Sequence, residues 1–284
     1  MRLYGKLMIE RLEKIRLVVS DIDGTLLTAD NDLHARTLPS IQNIIHNQRL
    51  VFTLGTGRAF PLTHPFIELL GISSPIIFSG GAIFDPISHA ITSCHRIEIG
   101  QARALMRFAK ERSLGLMAHT SDCMLCIMDD DDWESIAQIE WIKGEKIDHA
   151  RRVEDIHADS DDVIIRMDIF SEKQPLAAAY IQVCHTFPNL HAVQMSRSIE
   201  LTPIGVNKGS ALRLLADVLD VKIQEIMAIG DSLNDLALLE EAGVGVAMDT
   251  APDALKAIAD IIVPSSDEGG FADALDVVAF ITKK

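Results

Sequence analysis

Long apolar runs, basic clusters, repeats and a cysteine framework are all missing from this chain of 284 residues. No apolar stretch approaches the length of a membrane span, so no transmembrane helix is expected. No cluster of lysine and arginine occurs, and the formal net charge is −15. Nucleic-acid backbones are gripped by such clusters, so that class of partner is excluded. The opening residues 1–14 carry Arg2, Lys6, Glu10, Arg11, Glu13 and Lys14 and read as too polar for a signal-peptide core. The four cysteines, Cys94, Cys123, Cys126 and Cys184, are few for a chain this long and point to reduced thiols in a cytoplasmic setting. The absence of repeats and low-complexity linkers leaves an ordinary globular protein of one large or two smaller domains. Its 48 % apolar and 24 % charged residues fit that class.

Strand and helix alternate in the first and last thirds. Ile15–Ser20, Leu50–Leu54 and Pro75–Ser79 read as apolar strands around helices at Ala35–Gln48 and Pro61–Leu70. The rhythm returns in helices Lys208–Leu219, Leu233–Ala242, Pro252–Ala259 and Gly270–Phe280 around strands Glu225–Ile229, Val244–Ala247 and Asp260–Val263. Such alternation predicts an α/β fold, a Rossmann-like doubly wound parallel sheet with helices on both faces. The middle third reads differently, with amphipathic strands at Ala90–Ile97, Gly115–Thr120, Met124–Met128, Val163–Phe170 and Leu190–Ser196 and helices at Gly100–Ser113 and Ser171–Thr186. The expected organisation is a discontinuous core over 1–86 and 195–284, carrying an α+β insert over 87–194. Hinges are expected near Asp85-Pro86 and Ser196–Pro203.

Chemistry gathers at the strand ends. Asp21-Ile22-Asp23-Gly24-Thr25-Leu26-Leu27 follows the first strand. Residues i and i+2 of a strand share a side, so the two carboxylates can face one spot. Like charges about 4 Å apart repel by roughly 4 kcal/mol at an effective dielectric near 20, so the pair calls for a cation or a proton. Thr56-Gly57-Arg58 follows the second strand, Asn207-Lys208-Gly209 opens a helix, and Gly230-Asp231-Ser232-Leu233-Asn234-Asp235 follows another strand. In open α/β sheets ligands bind at these carboxyl ends. The residue types suit phosphoryl transfer: Asp21 as carboxylate nucleophile, Asp23 as proton donor and acceptor, and Asp231 as a further oxygen ligand for Mg²⁺. Thr56, the Gly57 amide and Lys208 supply hydrogen-bond donors and positive charge.

With these motifs in this order, the chain resembles the haloacid dehalogenase superfamily of phosphatases, and within it the Cof-type group with a large α/β cap of the C2 type. The tail Gly245-Val246-Ala247-Met248 and Asp267-Glu268-Gly269-Gly270-Phe271 also follows that group. The resemblance implies that Asp21 attacks phosphorus and Asp23 is general acid and base. It implies that Mg²⁺ is held by the side chains of Asp21 and Asp231 and the main-chain carbonyl of Asp23. Thr56, Gly57, Lys208 and Asn234 would bind the phosphoryl group, and Asp235 would orient Lys208 or the metal's water. The insert would close over the site and select the leaving group. The implied activity is Mg²⁺-dependent hydrolysis of a small phosphorylated metabolite, with a phosphosugar mutase as the alternative and a non-catalytic phosphometabolite-binding module as a third reading. Two sites depart from the group's pattern: Ser79-Gly80-Gly81 where it carries Asn-Gly, and Asp249-Thr250 where it carries Gly-Asn.

Other features have plainer readings. Arg58 can contact substrate or pair with a carboxylate. Lys208 at a helix start opposes the helix dipole, which favours a functional reason for it. Cys123 and Cys126 have a metal-like spacing near His119, but a zinc site needs about four ligands, and the reading is two thiols beside a strand. Asp129–Asp132 lacks the spacing of a calcium loop and reads as a solvated loop, and Met227 and Met248 read as core.

Overall fold

The computed structural model describes residues 5–47, 49–78, 80–93, 95–121, 123–138, 140–157, 163–171, 175–195 and 198–282. Ser79 and Cys94, singled out above, lie outside the described residues, as does the acidic segment Asp159-Ser160-Asp161-Asp162 that the sequence places in the insert.

Strands β1 (Leu17–Ser20), β2 (Val51–Thr56) and β3 (Ile76–Phe78) alternate with helices α1 (Lys6–Leu12), α2 (Thr37–Ile45) and α3 (Phe60–Leu70). Pro39 lies in the first turn of α2, where its missing N–H has no intrahelical partner to lose. A hairpin follows, β4 (Ala82–Asp85) and β5 (Ala90–Ser93). The insert supplies α4 (Ile99–Lys110), β6 (Gly115–His119), β7 (Met124–Ile127), α5 (Asp130–Ala137), β8 (Glu140–Ile142), β9 (Glu145–Lys146), β10 (Ala150–Arg152), β11 (Arg166–Phe170), α6 (Ala177–Thr186), β12 (Leu190–Gln194) and β13 (Ser198–Pro203). The chain then resumes with α7 (Lys208–Val218), β14 (Ile226–Gly230), α8 (Leu236–Glu241), β15 (Val244–Met248), α9 (Asp253–Ile258), β16 (Ile261–Val263) and α10 (Gly270–Thr282).

The first sheet has the order β16-β15-β14-β1-β2-β3-β4-β5. It is parallel from β16 to β3 and antiparallel through the hairpin. Period-2 alternation sends β1 into two cores. Val18 packs with Ile41, Ile44, Phe66, Phe271 and Leu275 on one face, while Leu17 and Val19 pack with Leu212, Leu215, Leu238 and Leu255 on the other. A strand buried on both faces must be apolar at every position, which is why these strands read as continuous apolar runs.

The second sheet has the order β10-β7-β6-β11-β13-β12. Leu116, Ala118, Met167, Ile169, Ile199 and Leu201 point to one face, which packs against Ala102, Leu105 and Ala109 of α4 and Val183 of α6. This mixed sheet is the inserted cap.

Four details differ from the sequence reading. The strand at 90–93, expected in the insert, pairs with β4 in the first sheet. The turn between them is closed by Asp85, whose Oδ1 accepts from the N–H groups of Ile87 and Ser88. Strand β13, expected at a hinge, pairs with β11 and β12 in the second sheet. The acidic run 129–132 is a helix start rather than a loop: Asp129 Oδ1 accepts from Asp132 N at 3.0 Å, and carboxylates in a first turn suit the helix dipole. The expected helix over 233–242 begins as a 3₁₀ turn, Leu233–Asp235, before α8, because Asp235 Oδ2 draws the N–H groups of Asp231 and Ser232 toward it.

Candidate active site

The chain leaves β1 for β2 on one side and, after the cap, places β14 on the other. The carboxyl end of β1 is therefore the point where strand order reverses, and there a crevice opens between the loops. Asp21 is the next residue, fixed by its N–H to Ile229 O at 3.0 Å. Gly24 has φ +74°, and a Cβ on it would lie 2.3 Å from Asp231 Oδ2. Only glycine lets the first loop turn this sharply and lie against Asp231. Thr25 Oγ1 then donates to Asp231 Oδ1 at 2.8 Å, joining the two loops.

Charge is concentrated behind this contact. Lys208 is 3 % exposed and Asp235 is fully buried. Lys208 Nζ lies 2.6 Å from Asp235 Oδ1 and 3.0 Å from Asp21 Oδ1. The helix carrying Lys208 starts on Asn207, which exchanges hydrogen bonds with Ser210 in a capping box. Oxygens of Asp21, Asp231 and Asp235 all lie within 4.8 Å of one another. Burial pushes Asp21 well above the usual carboxylate range, with Lys208 opposing and Asp235 and Asp231 adding to the rise. Burial and Asp235 push Asp231 up to about 7. Burial disfavours the Lys208 ammonium, but Asp21 and Asp235 outweigh it and hold its pKa above the ordinary value. One ammonium does not balance three carboxylates, and an all-oxygen donor set with excess negative charge fits a hard divalent cation.

A cavity of about 540 Å³ opens in front of this array. Asp21, Asp23, Gly57, Arg58, Asp231 and Asn234 line its core side. Thr56 is fully buried, and its Oγ1 accepts from Arg58 N at 3.1 Å. Asn234 Oδ1 accepts from Ser232 Oγ at 2.7 Å. Arg58 is fully engaged: Nε and Nη2 donate to the two oxygens of Asp23 at 2.9 and 2.5 Å, Nη2 also reaches Asn31 Oδ1 at 3.1 Å, and Nη1 donates to Trp141 O at 2.7 Å.

The cap supplies the opposite wall, from residues that the sequence reading did not assign to the site. The face of the second sheet turned away from its helices carries Met117, His119, Arg166, Asp168, Ser198 and Glu200, all lining the cavity. The available signal was charge at alternate positions within apolar strands, as in Ile165-Arg166-Met167-Asp168-Ile169. Arg166 Nη1 donates to Gly57 O at 2.6 Å. The cap thus grips the Gly57–Arg58 loop twice, once by an arginine it donates and once by a carbonyl it offers. His119 is bound to Asp168, with Nε2 and Oδ2 2.6 Å apart. Cys123 and Cys126 belong to different apolar clusters, and burial pushes the Cys126 thiol up to about 12.

Burial works against the Asp168 carboxylate, but Arg166 and His119 more than compensate and hold it at about 2. A depressed carboxylate contributes stability above its unfolded pKa near ~4, and that stability disappears as pH falls toward 2. Asp168→Asn is therefore expected to lower the unfolding free energy by about 3 kcal/mol at pH 7. Urea titrations should show this gap narrowing as the pH is taken below 4.

The profile of the haloacid dehalogenase-like hydrolases matches residues 18–275. The chain is 27 % identical over 285 residues to the 5-amino-6-(5-phospho-D-ribitylamino)uracil phosphatase YwtE of Bacillus subtilis (strain 168), covering 92 % of this chain and 97 % of that one. It is 28 % identical over 254 residues to the HMP-PP phosphatase of Serratia proteamaculans (strain 568), covering 86 % and 87 %. A haloacid dehalogenase-like hydrolase from B. subtilis superposes with a TM-score of 0.81 at 24 % identity, over 92 % of this chain and 99 % of that chain. Sheet order, inserted cap and a profile spanning both halves of the core lead to one assignment: the chain belongs to the haloacid dehalogenase-like hydrolases.

Proposed function

We propose that this protein hydrolyses the phosphomonoester of a small metabolite, such as a sugar phosphate or phosphorylated cofactor, through a phosphoryl-aspartate at Asp21. The observation that carries the reading is the buried array of Asp21, Lys208 and Asp235 beside Asp231 at the switch point of the sheet. Two relatives support the substrate class, one named for a phosphoribityl-aminouracil and one for HMP-PP.

Among the three clustered carboxylates, Asp235 is already committed to Lys208 and to the N–H groups of Asp231 and Ser232. Asp21 and Asp231 remain to hold a divalent cation, read as Mg²⁺, with the main-chain carbonyl of Asp23 as a third ligand. When bound, the ion offsets charge on the transferring phosphoryl oxygens. Gly57, Asn234, Thr56 and Lys208 hold that group and fix its line of approach. Asp21 Oδ attacks phosphorus, and the bond from phosphorus to the ester oxygen breaks. Asp23 gives its proton to the departing alkoxide. It then takes a proton from water, whose oxygen attacks phosphorus, and the bond to Asp21 breaks to free phosphate. The cap, placed by its sheet between β5 and α7, covers the site, excludes bulk water and selects the leaving group.

Arg58 acts in this scheme by positioning Asp23 rather than by touching substrate. Arg58→Ala is expected to lower kcat on alkyl phosphates by about 10- to 100-fold. The loss on p-nitrophenyl phosphate should be smaller, since that leaving group departs without a proton. Equal losses on both would place Arg58 in binding instead. The function itself is tested by phosphate release from a panel of phosphorylated metabolites. Turnover is expected with Mg²⁺, and chelation by EDTA should abolish it.

A further inference from the structure

The cap wall carries an arrangement that the phosphoryl chemistry does not use. Register sets Arg166 opposite His119, and Asp168 opposite Glu200. Side-chain exposures are 3 % for His119, 9 % for Arg166, 4 % for Asp168 and 13 % for Glu200. Arg166 Nη2 donates to Asp168 Oδ2 at 2.7 Å, and its Nη1 lies 3.5 Å from Glu200 Oε2. One guanidinium faces two carboxylates, so this wall is formally anionic when His119 is neutral. Burial and the adjacent Arg166 both depress the His119 pKa. A neutral imidazole whose Nε2–H donates to Asp168 leaves Nδ1 as an acceptor.

Among the described residues, three buried atoms of this cluster, His119 Nδ1, Asp168 Oδ1 and Arg166 Nε, find no hydrogen-bond partner. Folded interiors rarely leave such atoms unpaired, and a group in one cluster marks a place where a ligand or water completes the set. Two of the three are acceptors, and Glu200 adds another. Among the described residues that line the cavity, the cations are Arg58 and Arg166, and each is already paired with carboxylate. Met117, Met124 and Leu62 offer apolar surface for a carbon skeleton. Among the described residues, the one cation of this wall, Arg166, is faced by the two carboxylates Asp168 and Glu200, and its Nε is the single unpaired donor of the cluster.

We propose that the leaving group is uncharged or cationic and rich in hydrogen-bond donors, a polyol or amino-polyol whose O–H and N–H groups are received by Asp168, Glu200 and His119. Esters bearing a carboxylate or phosphate at the end remote from the scissile bond are rejected by the same wall. This rests on the phosphatase reading and narrows it. A carboxylate facing the wall meets like charge, and it replaces a donor that the acceptors need.

The test uses the full chain with Mg²⁺ and two matched pairs: glucitol 6-phosphate against 6-phosphogluconate, and glycerol 3-phosphate against 3-phosphoglycerate. The members of each pair differ in a hydroxymethyl or a carboxylate, and p-nitrophenyl phosphate serves as a donor-free reference. We expect kcat/KM to favour the polyol ester by about tenfold or more. Glu200→Gln should narrow that ratio by about threefold or more, because it removes one charge from the wall. Equal or inverted preference, a ratio unmoved by Glu200→Gln, or release from p-nitrophenyl phosphate alone overturns the inference and leaves the phosphatase reading standing. Release from none of the five esters overturns both.

Discussion

Asp21→Asn is expected to lower phosphate release by about ten-thousandfold or more, yet to leave the protein folded. The substitution keeps the shape of the side chain and removes the oxygen that the proposed reaction uses as nucleophile, so no phosphoryl-enzyme is expected to form. Its effect on stability has a definite sign. Burial and the neighbouring carboxylates raise the Asp21 pKa in the folded state. A carboxylate raised on folding is a net cost to the fold once it is ionised, and that cost grows as pH rises above the unfolded value. A neutral amide lifts it. The metal-free variant should therefore melt at or above the temperature of the metal-free parent at neutral pH. The rise in melting temperature expected from Mg²⁺ in the parent should shrink in the variant, because one of the oxygens proposed to hold the ion is gone. Scanning fluorimetry with and without Mg²⁺, beside a phosphate-release assay, reads all of these together.

Lys208→Ala is expected to behave in the opposite way and to damage both fold and chemistry. Its ammonium is 3 % exposed and bridges two buried carboxylates. Removing it leaves Asp21 and Asp235 facing one another without a cation, and breaking a buried ion pair from one side costs about 3–5 kcal/mol. In the proposed reaction Lys208 is a preorganised cation at the phosphoryl group, and its loss is expected to remove a further factor of about 10² to 10³ from kcat. Urea unfolding and steady-state rates should move together for Lys208→Ala, whereas for Asp21→Asn only the rate falls. Saturating Mg²⁺ should restore part of the stability of Lys208→Ala, since the ion replaces some of the missing positive charge.

The core site was legible because each of its parts is local. Asp21 and Asp23 are two residues apart at a strand end, and Asp231, Asn234 and Asp235 fall within one loop. Apolar strands on either side mark where those loops must lie, and the switch-point rule brings the ends together. Arg58 shows where locality fails. Its neighbours Thr56 and Gly57 placed it near the site, but its partners Asp23 and Asn31 come from the segment after β1 and Trp141 from strand β8 of the insert. The cap wall was less legible still. His119, Arg166, Asp168 and Glu200 sit on three strands, and only the pairing register makes them neighbours. Alternation within each strand shows that one face is polar, but it does not show which strands lie side by side.

The misplaced strands have the same cause. The strand at 90–93 follows Asp85-Pro86, which reads as a boundary, yet the turn is a hairpin that folds back on the sheet it left. Strand β13 lies where the sequence reads as a hinge, but its apolar positions Ile199 and Leu201 complete the cap core.

Trapping the covalent intermediate tests the central claim most directly. Enzyme mixed with a rapidly turned-over phosphate ester and Mg²⁺ is quenched in acid within one turnover, reduced with borohydride, digested and read by mass spectrometry. The account predicts conversion of Asp21, and of no other residue, to the homoserine that reduction of an acyl phosphate leaves. Reduction at a different carboxylate, or full turnover with Asp21 never modified and Asp21→Asn still active, would contradict it.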